Sequence, residues 1–277
     1  VDGIRTRYQV IGDGPPLLMF SPGGFDASLE NWTTFGRYKD LGFVQALSKD
    51  YTCIVFDRRE SGQSGGRLER LSWDKYVTHV IELLDHLGYD SVHTMGGCVG
   101  CTAATMLAVR APKRVRSMVL FSPAGGVTYR AGQHKRFVQH LAFALENGVE
   151  AVVDLARSTT SGFSKDPRVS PWAAPLRTDD AFAAEFGKTP IDKYMKIVSG
   201  TVANLFDRDT VPGPESEDLQ LLETPALVVP GEDLSHTKSA AWYLKETLQH
   251  SRIWDAPVSE QTPQASVTRV KEFLVAH

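Results

Sequence analysis

Short apolar runs and amphipathic stretches alternate along the first part of the chain. β-branched and apolar runs bounded by turn residues predict strands at 5–11, 17–20, 52–56, 91–95 and 117–121. Apolar residues also recur at helical spacing from Trp73 to Leu87, with Ser72 placed to cap the helix and Gly88 to stop it. This alternation predicts an α/β fold with a mostly parallel sheet.

The strand pattern stops in the middle of the chain. From about 123 to 216 the apolar spacing is helical, with predicted helices at 137–147, 148–156 and 191–206. Sheet and helix signals then alternate again at 226–230, 239–248, 252–254 and 264–276. We therefore predict a core formed by residues 1–122 and 217–277, with a helical cap at 123–216 inserted before the last strands.

Composition and charge mainly serve to exclude classes of binding partner. The 277 residues include 30 Lys and Arg against 33 Asp and Glu, so the chain lacks the basic surface that nucleic acid or an anionic membrane requires. No apolar run reaches the roughly 20 residues of a membrane span, and the first residues do not resemble a secretory signal. We expect a cytoplasmic protein with a small-molecule substrate and no nucleic-acid or membrane partner; a homo-oligomer remains open.

Six local sequences mark the junctions between the predicted elements. They are 12–16 before a strand, the loop 21–24, the segment 57–64, the glycine turn 96–100, the loop 231–233 and the segment 260–263 before the last helix. In this order they resemble the landmarks of the capped α/β-hydrolase superfamily over nearly the whole chain. One such motif would be weak evidence, whereas six in the family's order are specific.

The turn 96–100 resembles the nucleophile elbow of that superfamily, with Cys98 where serine is usual. An elbow turns a strand sharply into a helix, so Gly96 and Gly100 relieve collisions beside a strained nucleophile. A helix N-terminus favours an anion, which makes a thiolate at Cys98 a plausible nucleophile. The alternative is a small, buried and unreactive cysteine.

The resemblance also implies the other parts of the site. The oxyanion hole would use the backbone N–H of Val99 and that of Gly24 or Phe25. The acid would be Asp233, after the strand at 226–230, with Glu232 as its substitute. Taken alone, the glycines of the loop 21–24 would indicate only a tight turn.

The sequence departs from the superfamily at the histidine. The loop 255–262, where the catalytic histidine should lie, contains none, and beyond it only His277 remains. His236, three residues after Asp233, is one candidate for the base, and Glu260 is a second. Both also have structural interpretations, as a polar residue in a partly buried wall and as a carboxylate at a helix start.

Two further patterns allow other interpretations. Cys98 and Cys101 form a C-x-x-C sequence at a strand-to-helix junction, as in thioredoxin-like redox pairs. No second Cys or His pair has ligand spacing, so we expect no metal and no cofactor. Aromatic residues of the cap, among them Trp172 and Tyr194, are candidates for substrate binding, although such residues often serve only to pack cap against core.

These patterns predict a hydrolase-like enzyme that acts on a small carbonyl compound, such as an ester, thioester, lactone or diketone. Cys98 would be the nucleophile. Two alternatives remain open at this point. One is a non-hydrolytic lyase, decarboxylase or cyclase of the same fold, which the missing histidine would impair less. The other is a ligand-binding pseudoenzyme that keeps only the pocket.

Overall fold

A seven-stranded sheet forms the centre of the molecule. The computed structural model describes all 277 residues. Its strands are β1 (Tyr8–Ile11), β2 (Pro16–Phe20), β3 (Thr52–Phe56), β4 (Val92–Gly97), β5 (Val115–Phe121), β6 (Ala226–Val229) and β7 (Ser251–Ile253). They lie in the order β1-β3-β2-β4-β5-β6-β7, and only β1 is antiparallel to its neighbour. The predicted α/β fold with a mostly parallel sheet is confirmed.

Twelve α-helices surround the sheet. Those before β6 are α1 (Asn31–Thr34), α2 (Gly36–Leu41), α3 (Phe43–Leu47), α4 (Trp73–Leu87), α5 (Gly100–Arg110), α6 (Val127–Ser158), α7 (Ala173–Thr178), α8 (Asp180–Gly187), α9 (Ile191–Leu205) and α10 (Ser216–Gln220). The last two are α11 (Lys238–Thr247) and α12 (Pro263–Val275). None of the helices combines the length and apolar character needed to cross a bilayer.

Helix α4 begins and ends where its sequence predicts. The Ser72 side chain accepts a hydrogen bond from the Lys75 amide at 3.3 Å, and Gly88 takes a left-handed conformation with φ 75°. Both residues satisfy backbone groups that a helix end leaves unpaired. The boundaries of strands agree less closely, since β1 begins at Tyr8 instead of residue 5 and β4 runs on to Gly97 instead of ending at residue 95.

The chain between β5 and β6 contains helices and no strand, which confirms the predicted helical insertion. Its longest helix, α6, spans 32 residues, but Gly148 interrupts the helical backbone with φ 87° and ψ 166°, at the predicted boundary between two helices. The first of these helices begins at Val127, earlier than the predicted residue 137. The insertion is bound to the core through the indole of Trp172, which donates to the Arg67 carbonyl at 2.8 Å.

Parallel strands place the loops that follow them at one edge of the sheet. β4, β5 and β6 are neighbours, so the residues after their carboxyl ends meet there. Cys98 follows β4, Ser122 follows β5, and the loop with Asp233 and His236 follows β6. The topology thereby brings three segments far apart in the chain to one place.

We expect the fold to lose stability steeply as the pH falls below about 6.5, because three histidines are buried in the neutral form. Burial lowers the pKa of His79 to about 3 and those of His93 and His140 to about 4. In the unfolded chain each binds a proton near pH 6.5, so acid favours unfolding by up to about 1.4 kcal/mol per pH unit for each histidine.

Urea unfolding at a series of pH values between 5 and 8 measures this dependence. His93→Gln is expected to flatten it by about one proton, whereas the same change at the exposed His250 should leave it as in the wild type. A free energy of unfolding that does not change with pH between 6.5 and 5 would contradict the assignment.

Candidate active site

The turn after β4 has the strained backbone of an elbow. Cys98 has φ 57°, in the left-handed region that residues with a side chain rarely adopt. A Cβ at Gly96 would lie 2.5 Å from the Cys101 amide nitrogen, and one at Gly100 would lie 2.3 Å from the Phe20 carbonyl oxygen. Only glycine therefore fits on either side of the turn.

Neighbouring backbone groups hold Cys98 in this conformation. Its amide donates to the Phe121 carbonyl at 3.2 Å, and its carbonyl accepts from the Ala124 amide at 3.3 Å. The side chain lies beside the first turn of α5 and is 9% exposed. The residue is thus buried at the N-terminus of a helix.

The two thiols of the C-x-x-C sequence have different surroundings. Cys101 is fully buried, and its Sγ donates to the Gly96 carbonyl at 3.2 Å. Burial, and then the charge of Cys98, raises the pKa of Cys101 well above its usual range. All three cysteines of the chain are free thiols. Cys101 is therefore bound within the elbow as a neutral donor.

The three backbone amides predicted for the oxyanion hole are free to donate. The N–H groups of Val99, Gly24 and Phe25 make no hydrogen bond to any protein acceptor. Gly24 has φ 61°, and its carbonyl accepts from the Arg58 guanidinium, which ties the loop after β2 to the segment after β3. These are the amides that the sequence assigns to an oxyanion hole.

The loop after β6 joins Asp233 to His236. Nδ1 of His236 lies 2.7 Å from Oδ2 and 2.9 Å from Oδ1 of Asp233, whose Oδ1 also accepts from the Ser235 amide at 2.8 Å. The Asp233 side chain is 67% exposed. Burial acts to raise the pKa of Asp233, but the hydrogen bonds from His236 and from the Ser235 amide, together with the charge of the imidazole, outweigh it and lower that pKa. The carboxylate therefore orients the imidazole while remaining in contact with solvent.

The other ring nitrogen of His236 faces Cys98. Nε2 is buried and has no hydrogen-bond partner of regular geometry. Burial favours the neutral imidazole, but the hydrogen bond and charge interaction with Cys98, and then those with Asp233, outweigh it and raise the pKa of His236 to about 9. The structure thus brings together Cys98, His236 and Asp233, which belong to two separate loops.

A glutamine occupies the loop that lacks the expected histidine. Gln261 is buried, and its amide nitrogen donates to the Pro230 carbonyl at 2.9 Å and to the Ala256 carbonyl at 2.8 Å. Its oxygen accepts from the Arg37 guanidinium at 2.8 Å, and the same guanidinium donates to the Ser122 hydroxyl at 3.3 Å. The hydrogen bonds of Gln261 therefore connect this loop to the end of β6, next to the loop of Asp233.

The two other candidate carboxylates, Glu260 and Glu232, do not join the group formed by Cys98, His236 and Asp233. Glu260 is exposed, and its side chain makes no hydrogen bond or ion pair. Glu232 is also exposed and pairs with Lys238, whose Nζ lies 3.4 Å from Oε1. His277 follows α12, and its ring packs at a tilt against Phe273 with ring centroids 4.8 Å apart.

The aromatic residues predicted to bind substrate lie inside the packing of the insertion. Trp172 and Tyr194 are fully buried, and the Tyr194 hydroxyl is 2.6 Å from Nε2 of His140. A different aromatic cluster surrounds Phe25, in the loop after β2. Phe25 packs edge-on against Phe137, Phe163 and Phe206, with centroids 5.2–6.2 Å apart.

Tyr129 joins this cluster through Phe206, at a centroid distance of 5.9 Å. Burial raises the pKa of Tyr129, and the charge of Cys98 raises it further, so the phenol lies within electrostatic range of the thiol. Helical spacing along α6 was the only signal for Tyr129 and Phe137, because aromatic residues on one helix face are equally typical of simple packing.

Comparisons with known proteins agree with this architecture. A curated relative, the dihydrolipoyllysine-residue acetyltransferase component of the acetoin cleaving system from Cupriavidus necator, is 34% identical over 139 residues, 50% of this chain and 35% of the relative. The 2-hydroxymuconate semialdehyde hydrolase of Pseudomonas putida is 29% identical over 123 residues, 44% of this chain and 41% of the relative. The chain thus spans between about a third and about half of the length of these relatives.

Solved structures extend the likeness to the whole chain. The crystal structure of the enol-lactonase from Burkholderia xenovorans matches with a TM-score of 0.64 and 22% identity, covering 99% of this chain and 98% of the lactonase. At this identity the likeness concerns the fold alone. A family model described as alpha/beta hydrolase fold matches residues 16–184, more than half of the sequence. The chain therefore belongs to the α/β-hydrolase fold family.

Proposed function

We propose that this protein is a hydrolase that attacks a small carbonyl compound, such as an ester, thioester, lactone or diketone, with Cys98 as its nucleophile. One observation carries the proposal. His236 has Nδ1 bound to Asp233, and it also interacts with Cys98, so that the two partners together raise the pKa of the imidazole to about 9. A nucleophile, a base and a group that orients the base are thereby connected in the arrangement that nucleophilic catalysis requires.

In the first half of the reaction, the Cys98 thiolate attacks the substrate carbonyl carbon. The carbonyl oxygen becomes an oxyanion, which the free N–H groups of Val99 and of Gly24 or Phe25 would stabilise. The imidazolium of His236 then gives its proton to the leaving group, whose bond to the carbonyl carbon breaks. The acyl group remains on sulfur as a thioester.

In the second half, His236 is neutral and acts as a base. It takes a proton from water, and the resulting hydroxide attacks the thioester carbonyl, which forms a second oxyanion at the same amides. Collapse of this intermediate breaks the carbon–sulfur bond and restores the Cys98 thiolate beside protonated His236. The carboxylic acid product leaves, and Asp233 holds the Nδ1 proton throughout.

His236 is the better supported of the two candidate bases. A carboxylate next to a thiol would oppose formation of the thiolate, and Glu260 is exposed without a contact to the site. His236 in contrast has a pKa raised to about 9 by its pairing with Cys98 and Asp233. Asp233 is preferred to Glu232 because it binds the imidazole directly.

The names of the similar proteins support the substrate class. The Pseudomonas putida relative is a semialdehyde hydrolase, and the Burkholderia xenovorans structure is an enol-lactonase. Both names denote hydrolysis of a small molecule with a carbonyl group. The non-hydrolytic alternative was based on the absence of a histidine from the loop 255–262. Because His236 interacts with Cys98, that absence no longer argues against hydrolysis.

A trapped acyl-enzyme tests the proposal directly. Brief incubation with an excess of an activated ester such as p-nitrophenyl acetate is expected to add one acetyl mass to the protein, on the peptide that contains Cys98. Cys53→Ala is the matched control, since burial raises the pKa of the Cys53 thiol to about 12 and should leave it unacylated. A protein that hydrolyses the ester with no acetyl group on Cys98 would refute the proposed nucleophile.

A further inference from the structure

A short segment of the helical insertion lies along the turn 24–26, whose amides at Gly24 and Phe25 are predicted oxyanion donors. The segment consists of residues 161–164, between α6 and α7, and we call it the strap. Strap and turn meet in antiparallel order, and the pairs in contact are Ser164 with Gly24, Phe163 with Phe25, and Gly162 with Asp26. The insertion therefore contacts every residue of this turn.

The strap holds two side chains of the turn. The Ser164 amide donates to Oδ2 of Asp26 at 3.3 Å. A Cβ at Gly162 would lie 2.2 Å from Oδ1 of the same carboxylate, so only glycine permits this close approach. The ring of Phe163 packs edge-on against that of Phe25 with centroids 5.2 Å apart, and Phe163 is fully buried. Asp26 and Phe25 are thus bound to the insertion through their side chains.

The strap itself is fixed to the two helices that flank it in the chain. The Arg136 guanidinium on α6 donates to the Ser164 carbonyl, and the Arg177 guanidinium on α7 donates to the Ser161 carbonyl. Burial lowers the pKa of Arg177, and the charge of Asp26 acts in the opposite direction, so this carboxylate lies within electrostatic range of the guanidinium. Asp26 is therefore bound to an anchored part of the insertion.

The backbone of Asp26 orients one of the predicted oxyanion donors. Its N–H donates to the Gly23 carbonyl at 2.9 Å. Because a trans peptide is planar, the N–H of the same peptide, which belongs to Gly24, points away from that carbonyl. In the same way the Gly24 carbonyl accepts from Arg58, so the N–H of Phe25 points away from it. The direction of each free amide is thus set by the hydrogen bond to the carbonyl of its own peptide.

We propose that Asp26 is a positioning residue for the oxyanion hole and that the strap holds it in place. The backbone of Asp26 orients the Gly24 amide, while its carboxylate binds the strap. Loss of the carboxylate would let the turn relax and would move this amide away from the developing oxyanion. A reacting group misplaced by about 1 Å can slow a reaction up to about a hundredfold. The inference rests on the proposed function, because it concerns the oxyanion that forms when Cys98 attacks a carbonyl.

Two reactions of Cys98 separate this role from a general effect on the structure. Attack on an ester carbonyl forms an oxyanion, whereas displacement of iodide from iodoacetamide forms none, so only the first reaction uses the amides. We expect Asp26→Ala to slow acetylation by p-nitrophenyl acetate about tenfold or more and to leave the alkylation rate within about twofold of the wild type. Stopped-flow release of p-nitrophenol and mass spectrometry of the Cys98 peptide measure the two rates.

Three variants serve as controls for Asp26→Ala. Asp26→Asn should acylate at about the wild-type rate, because its amide oxygen still accepts from the Ser164 amide. Gly162→Ala changes the strap instead of the turn, and its added Cβ should displace the carboxylate and slow acylation as Asp26→Ala does. Gly132→Ala is the matched control for it, since a Cβ at Gly132 on α6 would lie 3.8 Å from the nearest side-chain atom.

Three results would overturn the proposal. Acylation of Asp26→Ala at the wild-type rate would show that the turn does not depend on the carboxylate. Acylation and alkylation slowed by the same factor would indicate a general effect on access or structure, which urea unfolding of the variant would measure. A defect in Asp26→Asn as large as in Asp26→Ala would assign the effect to the lost charge. A wild type that hydrolyses the ester without an acetyl group on Cys98 would instead refute the proposed function, and this inference with it.

Discussion

Replacing Cys98 with alanine is expected to lower turnover by about four orders of magnitude or more while the protein remains folded. The change removes the nucleophilic sulfur and keeps the Cβ, so the left-handed backbone at φ 57° carries the same strain in both proteins. The free energy of unfolding should therefore change by about 1 kcal/mol or less. Steady-state hydrolysis of an activated ester, together with urea unfolding, measures both quantities.

Cys98→Ser refines the same prediction. A serine hydroxyl does not ionise at neutral pH and cannot form the ion pair with His236, so we expect little activity in this variant as well. Cys53→Ala, a change in a buried thiol on β3, should retain wild-type turnover. Wild-type turnover in Cys98→Ala would refute the role of the thiol.

The second large effect is expected in the alkylation of Cys98 by iodoacetamide. In the wild type the rate should remain high well below about pH 8.5, near which an ordinary free thiol ionises, because protonated His236 stabilises the thiolate. In His236→Ala the rate at about pH 7 should fall at least tenfold and should then rise with pH like that of a free thiol. Mass spectrometry of the Cys98 peptide against time gives the rates.

Two further variants separate the contributions of the carboxylates. Asp233→Asn should slow alkylation less than His236→Ala does, because its side chain is 67% exposed and water screens its charge. Glu260→Gln is the control that also represents the alternative base, and it should behave as the wild type. Identical profiles in the wild type, His236→Ala and Glu260→Gln would eliminate both bases and favour a ligand-binding protein.

The interaction of His236 with Cys98 and Asp233 also affects the stability of the folded protein. The pKa of His236 is raised from 6.5 to about 9 in the folded protein. A group with a raised pKa stabilises the fold fully below its unfolded pKa, and the stabilisation disappears as the pH rises through the folded value. The contribution of His236 is therefore complete below pH 6.5 and lost through about pH 9, opposite in direction to that of the buried neutral histidines.

Local sequence determined the features that depend on local backbone geometry. The start and stop of α4 follow from Ser72 and Gly88, and the break in α6 follows from Gly148. The elbow was predictable for the same reason, because a sharp turn with a strained residue admits only glycine at positions 96 and 100. Such backbone requirements are local to a few residues, and only certain residue types satisfy them, so they can be identified in the sequence.

Only the tertiary structure decided which of the two candidate bases lies beside Cys98. The sequence allowed both His236 and Glu260, since each was predicted in a loop at the carboxyl edge of the sheet, and it favoured His236 only slightly, because a carboxylate next to a thiol opposes the thiolate. The structure turns His236 toward the thiol and leaves Glu260 in solvent, while Gln261 fills the loop where the histidine was expected. A contact between loops more than a hundred residues apart depends on the order of the strands and leaves no local pattern.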